Sequence, residues 1–289
     1  MKKLLALSLI TAGLLYASNQ DRNFDGYSYF AFGAENFKYT EKFVYTFKST
    51  YIAQNGKTYL GGDIVAVKSK INVTSPVYLS GGLIRFNNKW DLSMDFASTL
   101  KPNTTTEEWL DRKDDSVITT NYAEVLTNSM KFLLHYKLTN QHRITFGFSY
   151  ILNTFKRFEE PNAENTTALV QETAATATLD LGYWFESSTA AKDGLRIKYS
   201  LTAGLPVYQS IENTKAPGLT FDNTKGFNFD TSLYMGYTLF RGVELGLFAN
   251  YAYMYRNGDE KTYNGQTVIW PTNITQTLRG GLQVSWKFD

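Results

Sequence analysis

Residues 273–288, NITQTLRGGLQVSWKF, interleave two sequences. The even positions Ile274, Leu278, Leu282, Val284, Trp286 and Phe288 are apolar, interrupted only by Gln276 and Gly280. The odd positions Asn273, Thr275, Thr277, Arg279, Gln283, Ser285 and Lys287 are polar, with Gly281 among them. A period of two predicts a strand with one greasy face and one wet face. Sixteen residues exceed the roughly 5–6 of an ordinary soluble strand. They suit a tilted membrane strand, which needs about 9–11 residues for the hydrocarbon and continues beyond it.

The same alternation recurs at 227–239, 243–255, 195–207, 169–186, 142–158, 122–138 and 90–100. Four earlier segments, 27–38, 43–54, 58–70 and 77–86, read as strands whose faces the pattern does not fix. Facing residues of a hairpin share a face, so the apolar phases set turn lengths. They predict three-residue turns at Asn87-Asn88-Lys89, Thr139-Asn140-Gln141 and Arg241-Gly242-Val243. Asn257-Gly258 reads as a turn at a loop tip. Long polar stretches at 101–120, 159–168, 211–226 and 257–272 fall on the other side. Short turns after even strands and long loops after odd ones predict an all-β fold, a transmembrane antiparallel up-and-down β-barrel of about 12 strands. Losing or gaining a hairpin within 27–86 makes it 10 or 14.

Composition narrows the setting. Lys2 and Lys3, the apolar run Leu4–Tyr16 and Ala17 read as an export signal, so residues 1–17 are a signal peptide and 18–289 a single barrel domain. Without Lys2 and Lys3, Lys plus Arg falls from 29 to 27 against 27 Asp plus Glu, and no nucleic-acid partner follows from a neutral chain. The absence of cysteine excludes disulfides and thiolate chemistry, and the two histidines leave little for a metal, so no cofactor is expected. Twenty Tyr, 20 Phe and only 6 Pro fit aromatic, alternating strands.

On these features the chain resembles the outer-membrane β-barrel proteins of Gram-negative bacteria, the broad class containing porins. The resemblance covers the mature chain as a pattern. Its one local motif is the C-terminal assembly signal of that class, which Arg279, Gly281, Val284 and Trp286 fit and Phe288 continues; the class usually ends on the aromatic residue, whereas this chain adds Asp289. The resemblance implies location in the outer membrane with both termini periplasmic. It also implies outer-membrane lipids and the barrel-assembly machinery as partners.

Candidate chemistry is sparse. His135 falls on the wet face and His142 at a turn, and nothing in the spacing nominates Ser129 or Ser149 as a nucleophile beside them. Asp91 and Asp95 share a face at a separation of roughly 13 Å, too wide for paired-carboxylate catalysis. Asp111, Asp114 and Asp115 fit no calcium-loop spacing. No enzyme is expected.

The wet face of the later strands collects Lys131, Lys137, Arg143, Arg157, Arg196, Lys198, Arg256, Arg279 and Lys287 against Glu172, Asp180, Glu186, Asp230 and Glu244. That excess of positive charge predicts a narrow passive channel for small polar or anionic solutes, lined by Arg143, Asp180, Arg196, Lys198, Asp230, Glu244 and Arg279. The alternative is a structural or adhesive barrel plugged by cross-lumen ion pairs, with outer loops that bind a partner. A membrane enzyme and a soluble exported β-protein are the remaining rivals.

Overall fold

The computed structural model describes residues 26–87, 89–139, 141–158, 168–187, 194–240 and 242–288; residues 1–17, expected to be a signal peptide, lie outside the described residues. Its wall contains β1 (Gly26–Thr46), β2 (Ile64–Arg85), β3 (Trp90–Thr99, resuming as Thr104–Asp111), β4 (Val117–Lys137) and β5 (His142–Phe158). It continues through β6 (Val170–Glu186), β7 (Gly194–Asn213), β8 (Gly226–Phe240), β9 (Val243–Arg256) and β10 (Thr272–Phe288). Each strand pairs antiparallel with its sequence neighbours. β1 also pairs with β10, so that Gly26 faces both Ile84 and Phe288 and the sheet closes without a free edge.

The wall has ten strands, one of the counts expected, because 27–38 and the start of 43–54 lie in one strand, as do most of 58–70 and 77–86. The cause is an inversion of the hydrophobic phase within each strand. In β1 the outward positions pass from Phe30 and Phe32 to Asn36, Lys38, Thr40 and Lys42, while the inward ones include Phe37, Tyr39, Phe43 and Tyr45. In β2 the outward Lys70, Asn72 and Thr74 lie beside the inward Val67, Ile71 and Val73. The upper half of each strand therefore has the inside-apolar logic of a water-soluble protein. The lower half has the outside-apolar logic of a membrane wall. A continuous strand that changes phase looks, in sequence, like two strands separated by a turn.

The outer face of β10 agrees with its greasy column: Leu278, Leu282 and Val284 are exposed on the outside, while Arg279, Gln283 and Ser285 are buried inside. Two short turns are those expected, closed by Phe86 N–H to the Trp90 carbonyl at 3.0 Å and Leu138 N–H to the His142 carbonyl at 2.9 Å. The third is tighter: Phe240 faces Val243, and Gly242 takes φ +76°.

The stretch 101–120 is not a loop. Pairing stops around Pro102, which has no N–H to donate. It resumes at Thr104–Asp111, where Glu107 faces Ile71 of β2 and Asn121 of β4. The Asn257-Gly258 pair is not a loop tip either. The hairpin Asp259–Tyr263/Gln266–Trp270 turns at Asn264-Gly265, with φ +49° and +74°.

The long-loop end is built into two lobes. The first folds the hairpin Tyr51–Ile52/Thr58–Tyr59 over Phe47, Ala53, Tyr59, Val67 and Ile118. Lys57 Nζ ties it to the β3–β4 turn, 2.5 Å from Asp114 and 3.3 Å from Asp111. The second packs segment 214–225 and the hairpin 259–270 around Ile211, Leu219, Phe221 and Trp270, with Lys261 2.7 Å from Asp222. The Lys57 hydrogen bond holds the Asp114 carboxyl well below its ordinary range. A carboxylate with a depressed folded-state pKa contributes above the ordinary Asp value and stops contributing as pH falls through its own. Amide exchange in 51–59 should accordingly stay slow at neutral and mildly acidic pH and quicken only in strong acid. Quickening near pH 6 would contradict this tie.

Candidate functional site

The seven residues expected to line the lumen, Arg143, Asp180, Arg196, Lys198, Asp230, Glu244 and Arg279, all lie inside the wall and are at most 8% exposed. The charge balance around them differs from the sequence reading. The first three strands bring Arg85 to the nine cations named above, and Glu35, Glu41, Asp91, Asp95 and Glu107 to the five carboxylates. Ten cations thus meet ten carboxylates between the short-turn mouth and Glu41. The apparent positive excess came from counting the later strands alone: Glu35 and Glu41 lie on a strand whose face was not fixed, Glu107 in a stretch read as a loop, and Asp91 and Asp95 on a strand outside that count.

At the short-turn mouth the charges form a septum across the lumen. Asp91 of β3 accepts Lys137 at 2.8 Å and Arg143 at 2.7 Å. Arg143 reaches on to Glu186 of β6 at 3.3 Å, which also takes Arg85 at 3.5 Å and Arg196 at 3.0 Å. Arg196 spans to Glu244 of β9 at 2.7 Å, and Lys287 of β10 adds a contact at 3.6 Å. The Tyr234 hydroxyl donates to Glu244 at 2.5 Å. It has room to do so because residue 236 is glycine; a Cβ there would strike the Tyr234 hydroxyl. Asp91, Arg143, Glu186 and Glu244 have no measurable exposure, so the centre of this layer is closely packed. Apolar side chains back it from above: Tyr27, Leu83, Trp184, Tyr234 and Phe248 form one cluster inside the barrel.

Above the septum lies a chamber of about 130 Å³, adjoined by a second cavity of about 60 Å³. Lys131, Asp230 and Arg279 line both. Lys131 pairs with Asp230 at 2.6 Å, Arg279 with Glu35 at 2.6 Å, and the Tyr29 hydroxyl donates to Asp95 at 2.7 Å. Asp180 is held by the hydroxyls of Ser149 and Thr178. Higher still, Arg256 crosses the lumen to Thr176 at 3.0 Å. Beside it Phe37, Tyr39, Ile71, Val73 and Phe155 fill the interior. Above Tyr39, Arg157 joins Glu107 at 3.0 Å and Glu41 at 3.2 Å.

The C-terminal motif sits at the closing seam. A side chain at Gly281 would collide with the Phe32 carbonyl and Gly33 Cα, and Trp286 packs on Phe30 with centroids 5.2 Å apart. Gly281→Val should therefore destabilise the barrel by about 1–3 kcal/mol, read as a lower urea midpoint for the heat-modifiable form. An unchanged midpoint would mean that the seam relaxes freely.

The histidines do structural work. His135 has both ring nitrogens occupied, by Thr145 and Ser93 hydroxyls at 2.9 Å each, and His142 lies 2.5 Å from the Tyr183 hydroxyl. Asp91 and Asp95 serve separate partners, and Asp111, Asp114 and Asp115 are engaged by Lys57 and Lys68. Among the described residues no group of three or more His, Asp or Glu is placed to hold a metal. The sequence reading missed Glu35, Glu41, Arg85, Glu107, Tyr27 and Tyr29. The pairing of β1 with the clearly phased β10 was the signal that would have fixed the β1 face and with it four of these.

No protein-family model and no curated protein matches the chain. Among solved structures, the outer membrane protease OmpT from Escherichia coli is similar with a TM-score of 0.61 and 9% identity, over 93% of this chain and 99% of that one. The translocator domain of the autotransporter NalP from Neisseria meningitidis matches at TM-score 0.38 and 13% identity, covering 99% and 98%. A Pseudomonas aeruginosa FadL homologue matches at TM-score 0.30 and 10% identity, covering 92% and 90%. Only the first is close enough in shape to carry weight, and it agrees with the closed wall. By fold, the chain is a closed antiparallel β-barrel of the outer-membrane type.

Proposed function

We propose that this protein is an outer-membrane barrel shut at rest, whose working surface is the pair of cored lobes at the long-loop end. The observation that supports this reading is the packed septum, whose charged side chains reach across the lumen and are almost wholly buried; in this reading they leave no path for passive solute flow. In this reading the short turns and both termini face the periplasm and the lobes face outward. The first lobe presents Ile52, Leu60 and Ile64 at 74%, 58% and 72% exposure. Such a cluster suits the apolar core of a protein–protein contact. In this reading the barrel acts by binding.

The double variant Ile52→Ser, Leu60→Ser tests this without touching the wall. Bacteria displaying the native chain should adhere to a surface coated with extracellular-matrix protein, and bacteria displaying the variant should not, at equal heat-modifiable barrel content. Equal adhesion by both would place the working surface elsewhere. Deleting 101–120 is unsuitable for this purpose because 104–111 belongs to the wall.

A second reading, a channel for small polar or anionic solutes, draws support from the chamber in mid-barrel, into which Lys131, Asp230 and Arg279 reach. It requires the septum to move, and the ten-to-ten charge balance removes the reason to expect an anion preference.

A further inference from the structure

Every buried cation of the lower lumen has an anionic partner except one. Lys131, Lys137, Arg143, Arg196 and Arg279 each lie within ion-pair distance of a carboxylate. Lys198, only 7% exposed, has none among the described residues. Its Nζ instead stands over aromatic faces, 4.3 Å from the Tyr27 ring centroid, 4.2 Å from Tyr234 and 5.7 Å from Tyr29. These contacts offset part of the cost of taking an ammonium out of water, but a buried ammonium with no carboxylate in direct contact still has room for an anion.

Lys198 lines the larger chamber together with those three tyrosines, Trp184 and Phe248. At about 130 Å³ the chamber is close in size to the ~150 Å³ apolar cavity that admits a benzene ring. Its wall is mostly aromatic and aliphatic, and its carboxylates Asp95 and Asp230 are already engaged by Tyr29 and Lys131.

We propose that this chamber is a binding site for a small organic carboxylate with a flat apolar body. The carboxylate would pair with Lys198 Nζ and the body would lie against Tyr27, Tyr234 and Phe248. The site is separate from the lobes, so it stands whether or not they bind a partner.

The test uses the full-length barrel refolded in detergent micelles and titrated calorimetrically with benzoate, with its neutral isostere benzamide, and with acetate. Benzoate should bind saturably at one site, and benzamide and acetate at least tenfold more weakly. Lys198→Met should lose at least tenfold in benzoate affinity, while Lys198→Arg should retain most of it. Absence of saturable benzoate binding would overturn the proposal, as would equal affinity for benzamide, or a Lys198→Met barrel that binds like the native one. Acetate binding as tightly as benzoate would overturn the apolar body. If Lys198→Met does not fold, the benzoate–benzamide ratio on the native protein decides alone.

Discussion

Replacing Arg196 with leucine should cost the barrel about 3–5 kcal/mol, the magnitude seen when one partner of a buried ion pair is removed and the other stays. Arg196 holds two carboxylates at once, Glu186 at 3.0 Å and Glu244 at 2.7 Å, and its guanidinium lies 4.5 Å from the Tyr27 ring centroid. Leucine fills a comparable apolar volume but leaves both carboxylates with fewer donors in a closely packed layer. Arg196→Lys should fall between the two, because a single ammonium cannot reproduce the forked contact with Glu244 through Nε and Nη2. The measurement is urea unfolding of the refolded barrel followed by heat-modifiable migration. A leucine variant within about 0.5 kcal/mol of the native protein, the usual effect of a surface substitution, would mean that the septum is hydrated.

The second large effect concerns conduction. The septum contains five cations, Arg85, Lys137, Arg143, Arg196 and Lys287, against three carboxylates, Asp91, Glu186 and Glu244. The double variant Glu186→Ala, Glu244→Ala leaves the five cations with Asp91 alone. Their mutual repulsion in a low-dielectric layer favours hydration, and a hydrated ring of cations passes anions. In planar bilayers the double variant should therefore show resolvable current steps with anion over cation permeability, while remaining heat-modifiable. A folded variant that stays silent would move the block upward, to the Phe37–Phe155 cluster and the Arg256 crossing.

The sequence was legible wherever the barrel wall touches the membrane. In the parts of β4 to β10 nearer the short turns the outward column is mainly apolar and the inward one mainly polar, so the expected lining residues emerge on the inside. It was less legible above that level. Phe37, Tyr39, Ile71 and Val73 point inward, and Lys38, Lys42 and Lys70 point outward, so the rule that apolar means outside reverses partway along β1 and β2. The reversal hid two strand continuations together with Glu35 and Glu41, while Glu107 lay in a stretch read as a loop and Asp91 and Asp95 outside the strands that were counted, so a balanced lumen read as cationic. The septum itself could not have been read from residue types, because the same arginines and glutamates line an open pore or close it depending on how far each side chain reaches. Lys198 shows the same limit: its face was evident, but its lack of a carboxylate partner is a matter of distance.

Single-channel recording on the native protein, refolded and inserted into planar bilayers at neutral pH, tests the central claim most directly. The septum predicts a membrane that holds voltage with no discrete steps while the same preparation migrates as a folded, heat-modifiable barrel. Regular steps from the native protein, with either ion selectivity, would contradict a lumen shut at rest.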